Sequence, residues 1–157
     1  MKLAEALSLR ADLQKRVIQL KVRLKDSAKI QEGDEPAEDV KELYPELDNT
    51  LAELEELIYR INETNIRTMH EGENLTRLMA RKDVLTQRVS LMRDVLKHVV
   101  ENDTRYGRNE VKYIRLVDVS ALRKETDNYA SQLRELDMRI QSLNWTGLRI
   151  WYRIKKE

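Results

Sequence analysis

The chain contains no cysteine, which excludes disulfides, thiolate metal sites and a cysteine nucleophile. It has only two prolines and four glycines, few aromatics (5%) and many charged residues (36%). That balance favours long helices over a sheet-rich globule. Charge of one sign is also missing: the net charge is +1 with both signs interspersed, so no overall basic field exists to draw the chain to nucleic acid. No apolar run approaches the eighteen or so residues of a membrane span, and Met1-Lys2-Leu3-Ala4-Glu5 lacks the apolar core of a signal peptide. These absences predict a cytoplasmic protein with no integral membrane insertion and no nucleic-acid partner.

What is present is heptad-like patterning. Leu3, Ala6, Arg10, Leu13, Val17, Leu20 and Leu24 alternate steps of three and four and predict a helix over about 2–28. Leu7, Ala11 and Ile18 widen its apolar face, so more than one neighbour is expected. Residues 29–41 break the pattern with Glu32, Gly33, Asp34, Glu35, Pro36, Glu38 and Asp39, an acidic turn-rich loop. A second helix is expected to about Asn65, with Leu47, Leu54, Leu57, Ile58 and Ile61 on one face and Pro45 in its first turn. A connection over 66–73 leads to Asn74 as N-cap of a third helix, which runs to about 102 through Leu75, Leu78, Lys82, Leu85, Val89, Met92, Leu96 and Val99. In 103–117, Val111, Tyr113, Ile114, Leu116 and Val117 suggest a strand. The fourth helix, over about 118–144, has Asp118 or Ser120 as candidate cap.

Leu54, Glu56, Leu57, Arg60, Ile61 and Asn65 recur in the same spacing as Leu133, Glu135, Leu136, Arg139, Ile140 and Asn144. Either a duplicated helical hairpin or shared coiled-coil composition accounts for this. The expected fold is mainly α: an antiparallel four-helix bundle of two repeated hairpins (1–66 and 73–146) in one domain, 1–146, followed by a tail, 147–157. Up-down connectivity places the 29–41 and 103–117 loops at one end. There the acidic residues Glu32, Asp34 and Glu35 would attract Arg105, Arg108 and Arg115, and Ile30 would pair with the 111–117 strand in a short β element, within a chain or between subunits. Helices about 40 Å long at 1.5 Å per residue are slender for one small bundle, so a homo-oligomer is expected.

Arg10 and Lys82 interrupt their seams at matching positions, and Asn65 and Asn144 end helices near the same level. Two cations and two amides would suit a small anion such as a phosphate or carboxylate. Alternatively, a polar interruption fixes register or oligomeric state, and cations near helix C-termini favour the local dipole. Glu56 with Arg60 and Glu135 with Arg139 read as ordinary i,i+4 pairs.

Glu53, Glu55 and Glu56 invite comparison with the acidic helices of all-α nucleotide pyrophosphatases, but the second acidic motif that would complete a Mg²⁺ site is missing. Asp94 and His98 supply too few ligands for a metal site. The 32–39 loop lacks EF-hand spacing. With no Ser/His/Asp set, Gly-rich phosphate loop or H-E-x-x-H motif, no cofactor, metal or catalytic residue is assigned and a non-enzymatic role is expected. The tail, with Trp145, Trp151 and basic residues, suits packing against protein or contact with a membrane surface.

Met1-Lys2-Leu3-Ala4-Glu5-Ala6-Leu7, Leu9 to Arg16, Gln31-Glu32-Gly33-Asp34-Glu35-Pro36, Arg105-Tyr106-Gly107-Arg108, Val117-Asp118-Val119 and Asn144-Trp145-Thr146 together resemble a septicolysin-like family of small bacterial proteins. The resemblance covers about residues 1–146. Its label implies a pore-forming cytolysin, whereas this chain lacks a signal, a spanning stretch and cysteine. Residues 147–157 lie outside the matching motifs.

Overall fold

A computed structural model describes residues 1–101 and 113–150. The chain is mainly α, with helices α1 (Leu3–Ala28), α2 (Val40–Arg67), α3 (Leu75–Val100) and α4 (Val119–Thr146), and two short strands, β1 (Met69–His70) and β2 (Glu73–Asn74). The helices pair as α1 with α2 and α3 with α4. Two compact units result: residues 1–75 with the segment from Ser142 onward, and residues 76–141.

In the first unit the seam of α1 is buried as its spacing predicts. Leu3, Ala6, Leu13, Leu20 and Leu24 are buried, with Arg10 and Val17 half-buried between them. Leu20 and Leu24 pack with Leu43 of α2, flanked by Val40 and Leu47, and Leu57 and Ile61 continue the α2 face inward. Each fully buried Leu or Ile contributes roughly 1.5–3 kcal/mol. The wider strip on α1 is different: Leu7 is half-buried, but Ala11 and Ile18 lie in solvent.

The helix ends have identifiable causes. Glu5 accepts from the Lys2 amide at 2.7 Å, and Asp39 caps α2 by accepting from Lys41 N at 2.8 Å. Because that cap starts α2 at Val40, Pro45 falls in the second turn, not the first as expected. Its missing N–H removes one bond to the Lys41 carbonyl, on a part of the helix that is exposed. Asp118 caps α4 through Ala121 N at 3.0 Å. Buried Thr50, Thr64, Thr68 and Thr126 each return their hydroxyl to the carbonyl four residues earlier, at 2.7–2.8 Å, so these polar groups enter the helix faces already satisfied.

The β element lies elsewhere than expected. β1 and β2 form an antiparallel hairpin, Met69 opposite Asn74 and His70 opposite Glu73, inside the α2–α3 connection. Glu71 and Gly72 both have positive φ, 49° and 83°, the two-residue turn whose twist matches paired strands. A two-residue turn closes with little entropy loss, whereas Ile30 and 111–117 would have to meet across a long stretch of chain. Ile30 and residues 113–117 belong to no strand, and Val111 lies outside the described residues. β-branched composition alone does not make a strand without a partner to pack on.

The second unit, built from most of α3 and α4, buries Leu78, Val89, Thr126, Ala130, Leu136 and Ile140. Much of its remaining seam, Leu85, Met92, Leu96, Leu122, Tyr129 and Leu133, is only half-buried.

Candidate functional site

The polar residues singled out by the sequence occupy different settings. Arg10 is half-buried on α1 and has no ion pair with a described residue. The bridges Arg23–Glu38 and Arg16–Glu46 fix an antiparallel register that places Arg10 beside the 52–53 region of α2. Asn65 is therefore about three turns further on, some 20 Å along the helix at 1.5 Å per residue.

Asn65 is buried, 6% exposed, and its Oδ1 has no hydrogen-bond partner among the described residues. Asn144 is half-buried near the end of α4. The ends of α2 and α4 do meet within the first unit. A Cβ on Gly147 would fall 2.5 Å from the Leu143 carbonyl oxygen and 3.1 Å from the Thr68 methyl, so only glycine allows this approach. Gly147 N closes α4 on Leu143 O at 2.8 Å. The chain then runs to Ile150, 2% exposed, which exchanges two backbone hydrogen bonds with Met1, each 2.9 Å. Lys2 Nζ stands 5.2 Å from the centre of the Trp145 ring, a cation–π contact. The start of the tail thus packs on protein; Trp151 lies outside the described residues.

Lys82 belongs to the second unit and is bonded to Asp137 of α4. Gln141 Nε2 donates to the other carboxylate oxygen at 2.8 Å. The Lys82 hydrogen bond is the main reason Asp137 sits below the usual carboxylate range. Lys82 is therefore half-buried with its charge compensated, and it links α3 to α4. Nearby, Arg88 donates to the Tyr129 hydroxyl at 2.7 Å and stacks on its ring.

A charged groove on the α1–α2 pair was not singled out by the sequence. Arg23 Nε donates to both Glu38 oxygens, at 3.1 and 2.8 Å, and Nη1 approaches Glu46 at 3.4 Å. Arg16 donates to Glu46 at 3.1 Å. The Glu38 hydrogen bond raises Arg23 above its ordinary value and holds Glu38 below the usual carboxylate range. Asp12, Lys15, Gln19 and buried Leu20 complete a groove of about 340 Å³. The signal available was Arg16 and Arg23 seven residues apart, but Glu38 lies in the loop and Glu46 beyond it, and periodicity does not reveal them.

Among the loop residues expected in assembly, Glu32, Asp34, Glu35 and Arg115 are exposed; Arg105 and Arg108 lie outside the described residues. Among the described residues no group of three or more His, Asp or Glu is placed to hold a metal ion.

The family model for a family of unknown function, DUF6847, matches residues 10–147. The chain belongs to this family. A crystal structure of a functionally unknown conserved protein from Corynebacterium diphtheriae is similar, with TM-score 0.85 and 38% identity over 95% of this chain and 99% of that one. The match therefore extends over both helical pairs. No curated protein matches the chain. Among the described residues no helix is long and apolar enough to cross a membrane.

Proposed function

We propose that this DUF6847 member is a non-enzymatic, self-associating helical-bundle protein of the cytoplasm. The observation that carries this reading is large apolar side chain left in solvent: Tyr113, Ile114 and Leu116 are 82%, 77% and 90% exposed, and Val84 and Leu91 on α3 exceed 60%. Isolated exposed apolar residues are ordinary, but grouped ones mark surfaces that a partner covers. The repeat supports a duplicated plan. Leu57 with Leu136 and Ile61 with Ile140 are buried at matching places, while Glu56 and Glu135 are exposed. Light scattering coupled to size-exclusion chromatography tests self-association: a concentration-dependent dimer or larger species is expected, and a strict monomer at several hundred micromolar overturns it.

One observation favours a second reading, binding of a small anion at Arg10. Arg10 is half-buried as a residue with no ion pair among the described residues, so its charge is available to a phosphate or carboxylate. Thermal shift with phosphate and nucleotides tests this, since a ligand of the native state raises its stability; no shift removes the reading. Exposed Tyr113–Val117 also supports the membrane-active role implied by the septicolysin-like resemblance. Vesicles that stay intact at micromolar protein would rule it out.

A further inference from the structure

The α1–α2 hairpin has two unlike sides. Arg16 and Arg23 of α1 bridge to Glu46 of α2, so these residues mark one side of both helices. At about 100° per residue, Gln14 and Ile18 of α1 and Tyr44 and Leu51 of α2 fall on the other side. Ile18, Tyr44 and Leu51 are 62%, 53% and 42% exposed there, and Leu7 and Ile58 extend the surface as half-buried residues.

The charges on this second side match in a way that the hairpin itself does not use. Arg16 with Glu46 and Leu20 with Leu43 show that residues whose numbers sum to 62 or 63 stand level in α1 and α2. By the same angular count, Lys41, Asp48 and Glu55 are the charged residues of α2 on this side or its outer edge, and none has an ion pair among the described residues. Within about one turn of their levels on α1 stand Asp26, Lys15 and Arg10, on the face or at its outer edge. Each is of the opposite sign. Within one chain Lys15 and Asp48 point to opposite edges of the hairpin. The contact Lys15 does make, Asp12 at 3.9 Å with both side chains exposed, contributes little.

We propose that this side of the hairpin is the docking surface for a second copy of this chain, α1 on α2 and α2 on α1 across a two-fold axis parallel to the helices, an antiparallel four-helix arrangement. Such an axis keeps every level unchanged and leaves no register to choose. It sets Arg10, Lys15 and Asp26 of one copy opposite Glu55, Asp48 and Lys41 of the other, and Ile18 opposite Tyr44. Side chains lean toward the start of their own helix, so each pair leans together across an antiparallel contact. Lys21 and Lys25 lie toward the end where the second copy carries Glu38 and its acidic loop. A two-fold perpendicular to the helices would instead lay α1 on α1 and face Arg10, Lys21 and Lys25 with like charge. The contact from Arg10 to Asp26 is about 24 Å long at 1.5 Å per residue, and the symmetry makes it twice. This inference rests on the self-association reading and names its surface.

Absence of native cysteine makes the test direct. Single variants Ile18→Cys and Tyr44→Cys, one of them carrying a mass label, are mixed and mildly oxidised; Gln19→Cys mixed with Asn49→Cys, both exposed on the ion-paired side, is the control. Wild-type light scattering and circular dichroism of each variant run alongside. The disulfide between the Ile18→Cys and Tyr44→Cys chains should form about ten-fold or more faster than the control product or either self-linked product, because docking raises the effective thiol concentration. Lys15→Glu should weaken the dimer about three-fold or more by setting glutamate against Asp48. Adding Asp48→Lys should restore it, a rescue open only between copies because the two positions lie at opposite edges of one hairpin. Self-linked Ile18→Cys as the main product overturns the α1-on-α2 arrangement, and failure of the rescue overturns the charge pairing. A wild-type dimer whose face variants link no faster than the control overturns this surface but leaves self-association standing. A strict monomer overturns both.

Discussion

Met1 and Ile150 are joined through both of their backbone polar groups: the Met1 nitrogen donates to the Ile150 carbonyl and the Ile150 amide to the Met1 carbonyl, each at 2.9 Å. The Ile150 side chain beneath them is 2% exposed. The pair ties the two-residue lead into α1 to the segment leaving α4, in the unit where Gly147 lets α4 end against Thr68.

Ile150→Ala keeps both backbone bonds but empties the space its side chain fills. A buried Ile truncated to Ala costs about 2–5 kcal/mol; at this edge of the unit the lower half of that range is expected. Urea unfolding followed by circular dichroism measures it. A loss below half a kcal/mol would mean that the segment only rests on the unit.

The acid dependence of stability should report on Lys82 and Asp137. The Lys82 bond holds the folded Asp137 below its ordinary value, so the unfolded chain binds this proton more tightly. The contribution is therefore complete above the ordinary carboxylate value of about 3.9 and fades as pH falls through the lower folded value. Both side chains are about a third exposed, which limits the pair to about 1 kcal/mol or less. Asp137→Asn should lower the melting temperature at pH 7 and lose that deficit progressively as pH falls through the lower folded value. A deficit that persists at low pH would mean the variant damages packing instead.

Glu71 occupies the left-handed region at φ 49° without being glycine. Its partner in the turn, Gly72, adopts φ 83° freely, and asparagine suits such positions far better than glutamate. Glu71→Asn should raise stability by about 0.5–1 kcal/mol, against an exposed His70 contact at 3.6 Å that contributes little. Differential scanning calorimetry should show a rise of about 1–4 °C, given roughly 2–4 °C per kcal/mol for a chain of this size. An unchanged or lower melting temperature would show that the turn is not strained.

The sequence made some of this legible and hid the rest for physical reasons. Leu3, Ala6, Leu13, Leu20 and Leu24 were visible because burial on a helix recurs with its turn, and Arg10 and Lys82 because a cation interrupts an apolar series. The Met1–Ile150 pairing runs through backbone atoms, which every residue has, so no side-chain pattern announces it. The 69–74 hairpin is too short for alternation to register, and only Glu71-Gly72 marked it. Tyr113 to Val117 has the residues of a strand and no pairing partner among the described residues. Arg23 found its partner Glu38 across the α1–α2 loop, a proximity that folding creates.

Asn65 remains the sharpest case, because it is buried with an acceptor that bonds to none of the described residues. A buried polar group without a partner costs about 1–3 kcal/mol of desolvation, so removing it can be neutral or stabilising even though contacts are lost. Asn65→Ala loses little volume at a helical position and gains helix propensity of about 0.5 kcal/mol. Stability in urea should be unchanged or up to about 1 kcal/mol higher than wild type. The same residue stood in the candidate anion set, and the variant separates that role from structure. If anions stabilise the wild type and Asn65→Ala abolishes the effect without unfolding, the asparagine is held for a ligand. A loss above 2 kcal/mol without any ligand would mean that its carbonyl is satisfied in solution and that the residue supports the fold.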